Sequence, residues 1–167
     1  MFGRLSGSKG AQHGEDSVWV SNAARIAGLG REVDALRARN RSVVLVALTQ
    51  AAVNELSAAL RGRDVPIAHG SALGAVKPAA GAAVDILVYG RNDSRAADDA
   101  LVAFADQAGA NARIVFHLSL EDRLLQAFGS STMRSLLEKL GARAEEPICH
   151  AMVTQAIRNA QEKLSNA

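Results

Sequence analysis

Cysteine is nearly absent from this sequence: Cys149 is the single one among 167 residues. That excludes an internal disulfide and any cysteine-based zinc cluster, and it fits a reducing compartment, so a cytoplasmic location is expected. Aromatic residues are scarce, with one Trp, one Tyr and four Phe, which argues against stacking platforms for single-stranded nucleic acid. An excess of one charge is missing as well. Nineteen Lys and Arg against seventeen Asp and Glu leave a formal charge of +2, too small for the basic footprint of a nucleic-acid binder. No apolar run reaches the length of about 20 residues that spans a bilayer. The opening "MFGRLSGSKGAQHGED" has no apolar core of a signal peptide, so neither a membrane span nor secretion is expected. "GSKG" lacks the Walker spacing and a strand in front of it, so it is no phosphate loop. His69, His117 and His150 are scattered without metal-ligand spacing, and no metal or cofactor is expected.

What the sequence does contain is a soluble-type balance, 49% apolar and 22% charged, at a length that one core accommodates. Residues 1–15 are rich in Gly, Ser and charge and read as a flexible tail. "SVWV" is a short β-prone run, and Ile26, Leu29, Val33 and Leu36 then recur at helical spacing behind Ser21 as N-cap. "SVVLVAL" (42–48) has the continuous apolar character of a strand buried on both faces. Thr49 is placed to cap a helix bearing Val53, Leu56 and Leu60, with Gly62 as its stop. "VPIAH" is a short strand and 70–83 a Gly/Ala/Pro loop. The strand "VDILVYG", the helix "SRAADDALVAFADQAG" and the strand "ARIVFHLS" follow. Alternating strands and helices predict an α/β fold with a mostly parallel, three-layer sheet over 16–119. From Leu120 to Ala167 only helices are expected.

The final third, "FHLSLEDRLLQAFGSSTMRSLLEKLGARAEEPICHAMVTQAIRNAQEKL", closely resembles the stretch of SecA, the ATP-driven motor of bacterial protein export, where its second RecA-like lobe runs into the helical scaffold. "LSLED", "FGS", "LLEKLG" and the "EPI.H.MVT.AI.NAQ.K" pattern keep the family's order and spacing. Upstream, "VVLVALTQAAVNELSAALRGRDVPIAH" and "SVWVSNAARIAGLGREVD" are similar to the strands and helices that precede it, so the resemblance runs from about residue 17 to 165. It implies a degenerate second lobe of about four to five strands. The first lobe with its phosphate loop, the crosslinking domain and most of the scaffold have no counterpart in these residues. Where the family has its helicase-type arginine motif this sequence has "GRNDSRAADDALVAFADQAG": Val102, Phe104 and Gln107 stand at arginine positions, and Ala103 and Asp106 replace glycines. The loop carrying "TNMAGRGTDI" is collapsed into "GAVKPAAGAA". An arginine that reaches the transferred phosphoryl group raises rates by orders of magnitude, and neither Val nor Phe can replace it.

The resemblance therefore implies a non-catalytic module that binds another protein: a component of an export or secretion system, a motor, or a second copy. The apolar stripe of the last helix, with Met152, Val153, Ile157 and Leu164, is the candidate surface. The alternative is a nucleotide- or small-anion-binding regulator that uses the carboxyl edge of the sheet, with Thr49, Gly90, Arg91 and Arg95 as contacts. A third option is a half-motor completed by a separate first lobe. "RNDSR" also has good capping chemistry, and a cap flanked by solvated arginines is the preferred reading there. Glu121 and Asp122 are expected to cap a first turn. His150 is expected to set a helix entry and Cys149 to be a passive, partly buried thiol. "REVDALRARNR" reads as a solvated helix face.

Overall fold

The structure, a computed structural model, describes residues 10–76, 83–128, 130–141, 143 and 145–166. The chain order is β1 (Gln12–His13), β2 (Ser17–Trp19), α1 (Asn22–Ala38), β3 (Ser42–Ala47), α2 (Gln50–Ala59), β4 (Ile67–His69) and a 3-10 segment (Gly70–Val76). There follow β5 (Val84–Tyr89), α3 (Arg95–Ala108), β6 (Arg113–Ser119), α4 (Arg123–Phe128), α5 (Ser130–Lys139), β7 (Ile148–Cys149) and α6 (Ala151–Ser165). The sheet order is β4-β3-β5-β6-β2-β7, with β1 also on β6. All pairings are parallel except β2 with β7, and the expected α/β class holds.

The two central strands are buried along nearly their whole length because helices cover both faces. On one face Leu29, Val33 and Leu36 of α1 and Leu56 of α2 pack on Val43, Leu45 and Leu87. On the other, α3, α4, α5 and α6 close a second core around Val44, Val46, Ile86, Val88, Ile114 and Phe116. Local signals explain the helix starts. Ser21 accepts from the Ala24 amide at 3.1 Å and Thr49 from the Ala52 amide at 3.1 Å, each satisfying an otherwise orphaned donor. Ser94 occupies the N-cap of α3 without a side-chain bond.

Three features depart from the sequence reading. Residues 10–15 fall within the expected tail, yet β1 lies on the sheet, with the Gln12 amide donating to Ala112 O (2.8 Å) and the Gly14 amide to Ile114 O (3.0 Å). Residues 1–9 lie outside the described residues, as do 77–82 of the expected loop. The pairing runs Gln12 to Arg113 and His13 to Ile114, then Ser17 to His117. Gly14, Glu15 and Asp16 thus stand opposite Val115 and Phe116, so β1 and β2 are one strand interrupted by a bulge, a device that re-aims side chains.

The second departure is β7, a strand inside the region expected to be purely helical; Val18 and Ser17 pair with Ile148 and Cys149 and close the open edge of β2. The third concerns the stripe proposed for a partner. Val153 and Ile157 are 0% exposed, and Leu164 packs against the same core. This chain supplies their cover itself, from the sheet and from α4 and α5. Only Met152, 57% exposed, faces outward, and it is the one exposed large hydrophobic among the described residues.

Candidate functional site

Parallel sheets collect binding chemistry at the carboxyl ends of their strands, and here that edge is formed by Leu48 and Thr49 after β3, Gly90 after β5, and Leu120 to Asp122 after β6. A cavity of about 200 Å³ opens there, and Thr49, Gly90 and Arg91 line it. Gly90 has φ +102°, a conformation that side-chain-bearing residues rarely adopt, and it lets the chain turn back from β5. Arg95 lies apart from these three. It borders an adjoining cavity of about 140 Å³ between the bulge, α3 and α6, which Arg91 also lines.

Both candidate arginines are occupied. Arg91 Nη2 and Nε each donate to the Asp16 carboxylate at 2.8 Å, and its Nη1 donates to Asp98 Oδ2 at 3.0 Å. The guanidinium also lies 3.9 Å over the Phe116 ring, and the side chain is 10% exposed. A bidentate charge-assisted pair of this kind is among the stronger polar contacts a protein makes. Burial pushes the Asp16 carboxyl above its ordinary value while Arg91 opposes that rise. Asp98 accepts further from the Asn92 amide (3.0 Å) and from Gln161 Nε2 (2.7 Å), so α3 and α6 meet on one buried carboxylate. Arg95 donates to Glu162 of α6 at 2.9 Å, a half-exposed pair.

A second network, not foreseen in the sequence, holds the opposite wall. Arg25 of α1 is 4% exposed. Its two terminal nitrogens donate to Asp122 at 2.8 Å each, to His117 O at 3.1 Å and to Asn22 Oδ1 at 2.7 Å. The guanidinium stacks 3.8 Å over Tyr89, whose hydroxyl donates to Glu55 and touches Asn22 Oδ1. Burial and the Glu55 bond together push the Tyr89 hydroxyl up to about 12; its hydrogen bond from Tyr89, with one from Asn22, holds the Glu55 carboxyl below its usual range. Asp122 does cap locally, accepting from the Ser119 amide at 3.0 Å. Its pairing with Arg25, 97 positions away, has no local signal. Among the described cations lining the larger cavity, Arg123 is the one with no carboxylate partner.

The helix that stands where the resemblance places arginines does packing work. Val102 and Phe104 pack against the core, and Gln107 is exposed. Asp106, at a glycine position, accepts from the Ala11 amide and pairs with His13 Nε2, both at 2.9 Å. It thereby anchors β1. The remaining sequence candidates are structural as well. His150 caps α6 by accepting from the Met152 amide at 3.1 Å. Cys149 is exposed, not partly buried as expected, because it sits on the edge strand β7 with Ser17 Oγ 3.3 Å from its sulfur. Among the described residues no cluster of His, Cys, Asp and Glu is suited to a metal ion, and no helix is long and apolar enough to cross a membrane.

Comparison with known proteins finds similarity to protein translocase subunits. The family described as the SecA P-loop domain matches residues 72–145. Protein translocase subunit SecA of Desulfotalea psychrophila is 38% identical over 104 residues, which is 62% of this chain and 11% of that protein. The subunit from Endomicrobium trichonymphae is 30% identical over 155 residues, 90% of this chain and 18% of that protein. The chain thus spans less than a fifth of the length of these relatives. A crystal structure of the C-terminal part of the Fun30 ATPase domain aligns with TM-score 0.47 and 11% identity, over 85% of this chain and 54% of that one. The chain is therefore SecA-like in sequence, on an α/β fold whose buried charges are paired with one another.

Proposed function

We propose that this chain is a non-catalytic, SecA-like protein-interaction lobe, an accessory or regulatory factor of protein export or secretion that acts on the cytoplasmic side. One observation carries the reading: the guanidinium groups best placed at the carboxyl edge, Arg25 and Arg91, are bound to the chain's own Asp122, Asp16 and Asp98. A triphosphate would have to displace those carboxylates, and removing one partner from a buried pair is strongly unfavourable. The positions at which the family's arginines are expected carry Val102, Phe104 and Gln107, which have no charge to offer a phosphoryl group. The link to export comes from the similarity to protein translocase subunits. Isothermal titration with Mg-ATP and Mg-ADP tests the reading: no saturable heat is expected at millimolar nucleotide, and micromolar binding accompanied by hydrolysis overturns it.

A small-anion regulator is the second reading, favoured by the cavity at Thr49 and Gly90 with Arg123 on its wall. It requires that Arg123→Gln abolish the binding of inorganic phosphate; under the first reading phosphate does not bind in either form.

A further inference from the structure

The two helices on one face of the sheet both end at its amino edge. α1 runs into β3 and α2 into β4, and because β3 and β4 are parallel neighbours the chain passes this edge twice, side by side. Each passage is rich in arginine: Arg37, Arg39 and Arg41 at the first, Arg61 and Arg63 at the second, with Arg113 at the start of β6. Arg63 ties the two together. Its Nε and Nη2 donate to the Asp34 carboxylate of α1 at 3.1 Å each, and a Cβ on Gly30 would come within 3.2 Å of its Cζ. Arg37 belongs to the same cluster. The Asp34 carboxyl is held below its ordinary value first by the Arg63 hydrogen bond and then by the charges of Arg63 and Arg37.

Few carboxylates answer these cations. Arg41 donates to Asp85 through Nε and to Asn111 O through Nη2 at 2.9 Å, while Arg113 Nη1 lies 3.8 Å from the same buried carboxylate. One aspartate thus serves two arginines. Among the described residues, Arg37, Arg39 and Arg61 form no ion pair, and all three are exposed. Asp64 is the one acidic side chain beside them that is left unpaired. Six arginines therefore stand against Asp34, Asp64 and Asp85. The partial negative charge of the two helix ends, about half an elementary charge each, offsets only part of that surplus. The formal charge of the whole chain is +2, so the excess at this edge is a concentration of charge and not a share of a general one.

We propose that the amino edge between the ends of α1 and α2 docks an extended acidic segment of a partner protein, whose Asp or Glu side chains meet Arg37, Arg39 and Arg61. The proposal rests on the protein-interaction reading above and gives it a surface and a partner chemistry. Every cation of this edge is a guanidinium, whose planar fork matches a carboxylate through two hydrogen bonds. An anionic lipid surface fits less well, because the one exposed large hydrophobic among the described residues is Met152, on α6 at the other face of the sheet. Residues 30–41 and 61–66 contain no aromatic side chain on which a nucleic-acid base could stack. Complementary charge of this kind sets specificity and encounter rate.

The probe is the rhodamine-labelled peptide Glu-Glu-Gly-Glu-Glu-Gly, compared with Gln-Gln-Gly-Gln-Gln-Gly, added to the full chain and followed by fluorescence anisotropy. A saturable rise is expected with the glutamate peptide alone, and it should weaken with added salt. The Arg37→Gln/Arg39→Gln/Arg61→Gln variant should bind about tenfold or more weakly. A control, Arg134→Gln/Lys139→Gln/Arg143→Gln, removes the same formal charge elsewhere and should change affinity by less than about twofold. All six positions are exposed, so both variants retain the fold. No saturable rise, or an equal loss in the two variants, would overturn the proposal. Tighter binding to phosphatidylglycerol vesicles or to oligothymidylate, abolished by the edge variant alone, would assign the patch to a membrane or a nucleic acid and overturn it as well. Nucleotide binding in the calorimetric test removes the non-catalytic reading and leaves the peptide result standing, so the two failures are distinguishable.

Discussion

At the scale of single residues, Arg91 and Arg95 were grouped by proximity in sequence and are separated by burial. Arg91 neutralises two carboxylates that have no other cation bonded to them, whereas Arg95 forms one half-exposed pair. Replacing Arg91 with Met should therefore destabilise the fold by about 3–5 kcal/mol, because Asp16 and Asp98 would be left buried without their counter-ion. Arg95→Ala should change stability by less than about 1 kcal/mol. Urea denaturation of both variants reads the contrast, and equal effects would mean that the buried pairing has been misjudged.

His117 gives a second residue-level prediction. The Trp19 indole donates to His117 Nδ1 at 3.3 Å, and since an indole is a donor only, the ring's proton sits on Nε2. Burial, with Arg25 and Arg113 nearby, depresses the imidazole to about 3. The folded state thus refuses a proton that the unfolded chain accepts below its ordinary value of 6.5. Stability from this group is present above that pH and is lost as pH falls from 6.5 toward 3, with a limiting slope of about 1.4 kcal/mol per pH unit. His117→Gln, which keeps an acceptor for the indole, should flatten the slope between those limits when unfolding is followed against pH. An identical slope in both proteins would contradict the assignment.

At the scale of elements, α6 shows why an apolar stripe alone does not identify a docking face. Its stripe was legible from spacing, but whether the chain covers it depended on how α4, α5 and the sheet come together. Ile157, 0% exposed, should cost about 2–5 kcal/mol when changed to Ala. Met152→Ala should leave the thermal midpoint nearly unchanged. A large effect at Met152 with none at Ile157 would reverse the assigned faces.

The same scale explains what sequence reading could reach. The strand β3 and the caps at Ser21 and Thr49 were legible because burial on both faces and orphaned amide donors each demand particular side chains locally. The short strands β1 and β7 were not legible. Gln12 and His13 are both exposed, and two-residue pairings held by backbone bonds leave almost no side-chain pattern. In the candidate site, Thr49 and Gly90 were expected from the strand ends, and both line the cavity there. The role of Arg91 was missed because Asp16, its main partner, lies 75 positions away on a bulge that the polar N-terminal composition concealed.

At the scale of the whole molecule, the sheet, both helical layers and the edge strands form a frame in which the arginines Arg25, Arg41, Arg91 and Arg95 each pair with an acidic side chain of the same chain. The helix that the resemblance associates with phosphate contacts anchors β1 through Asp106 and joins α6 through Asp98. A carboxyl edge arranged in this way holds little unpaired positive charge. Nitrogen-15 amide spectra of the chain titrated with Mg-ATP test that claim most directly. The account predicts that the amides of Thr49, Gly90, Arg91 and Asn92 stay unmoved at millimolar nucleotide; saturable shifts confined to those amides would contradict it.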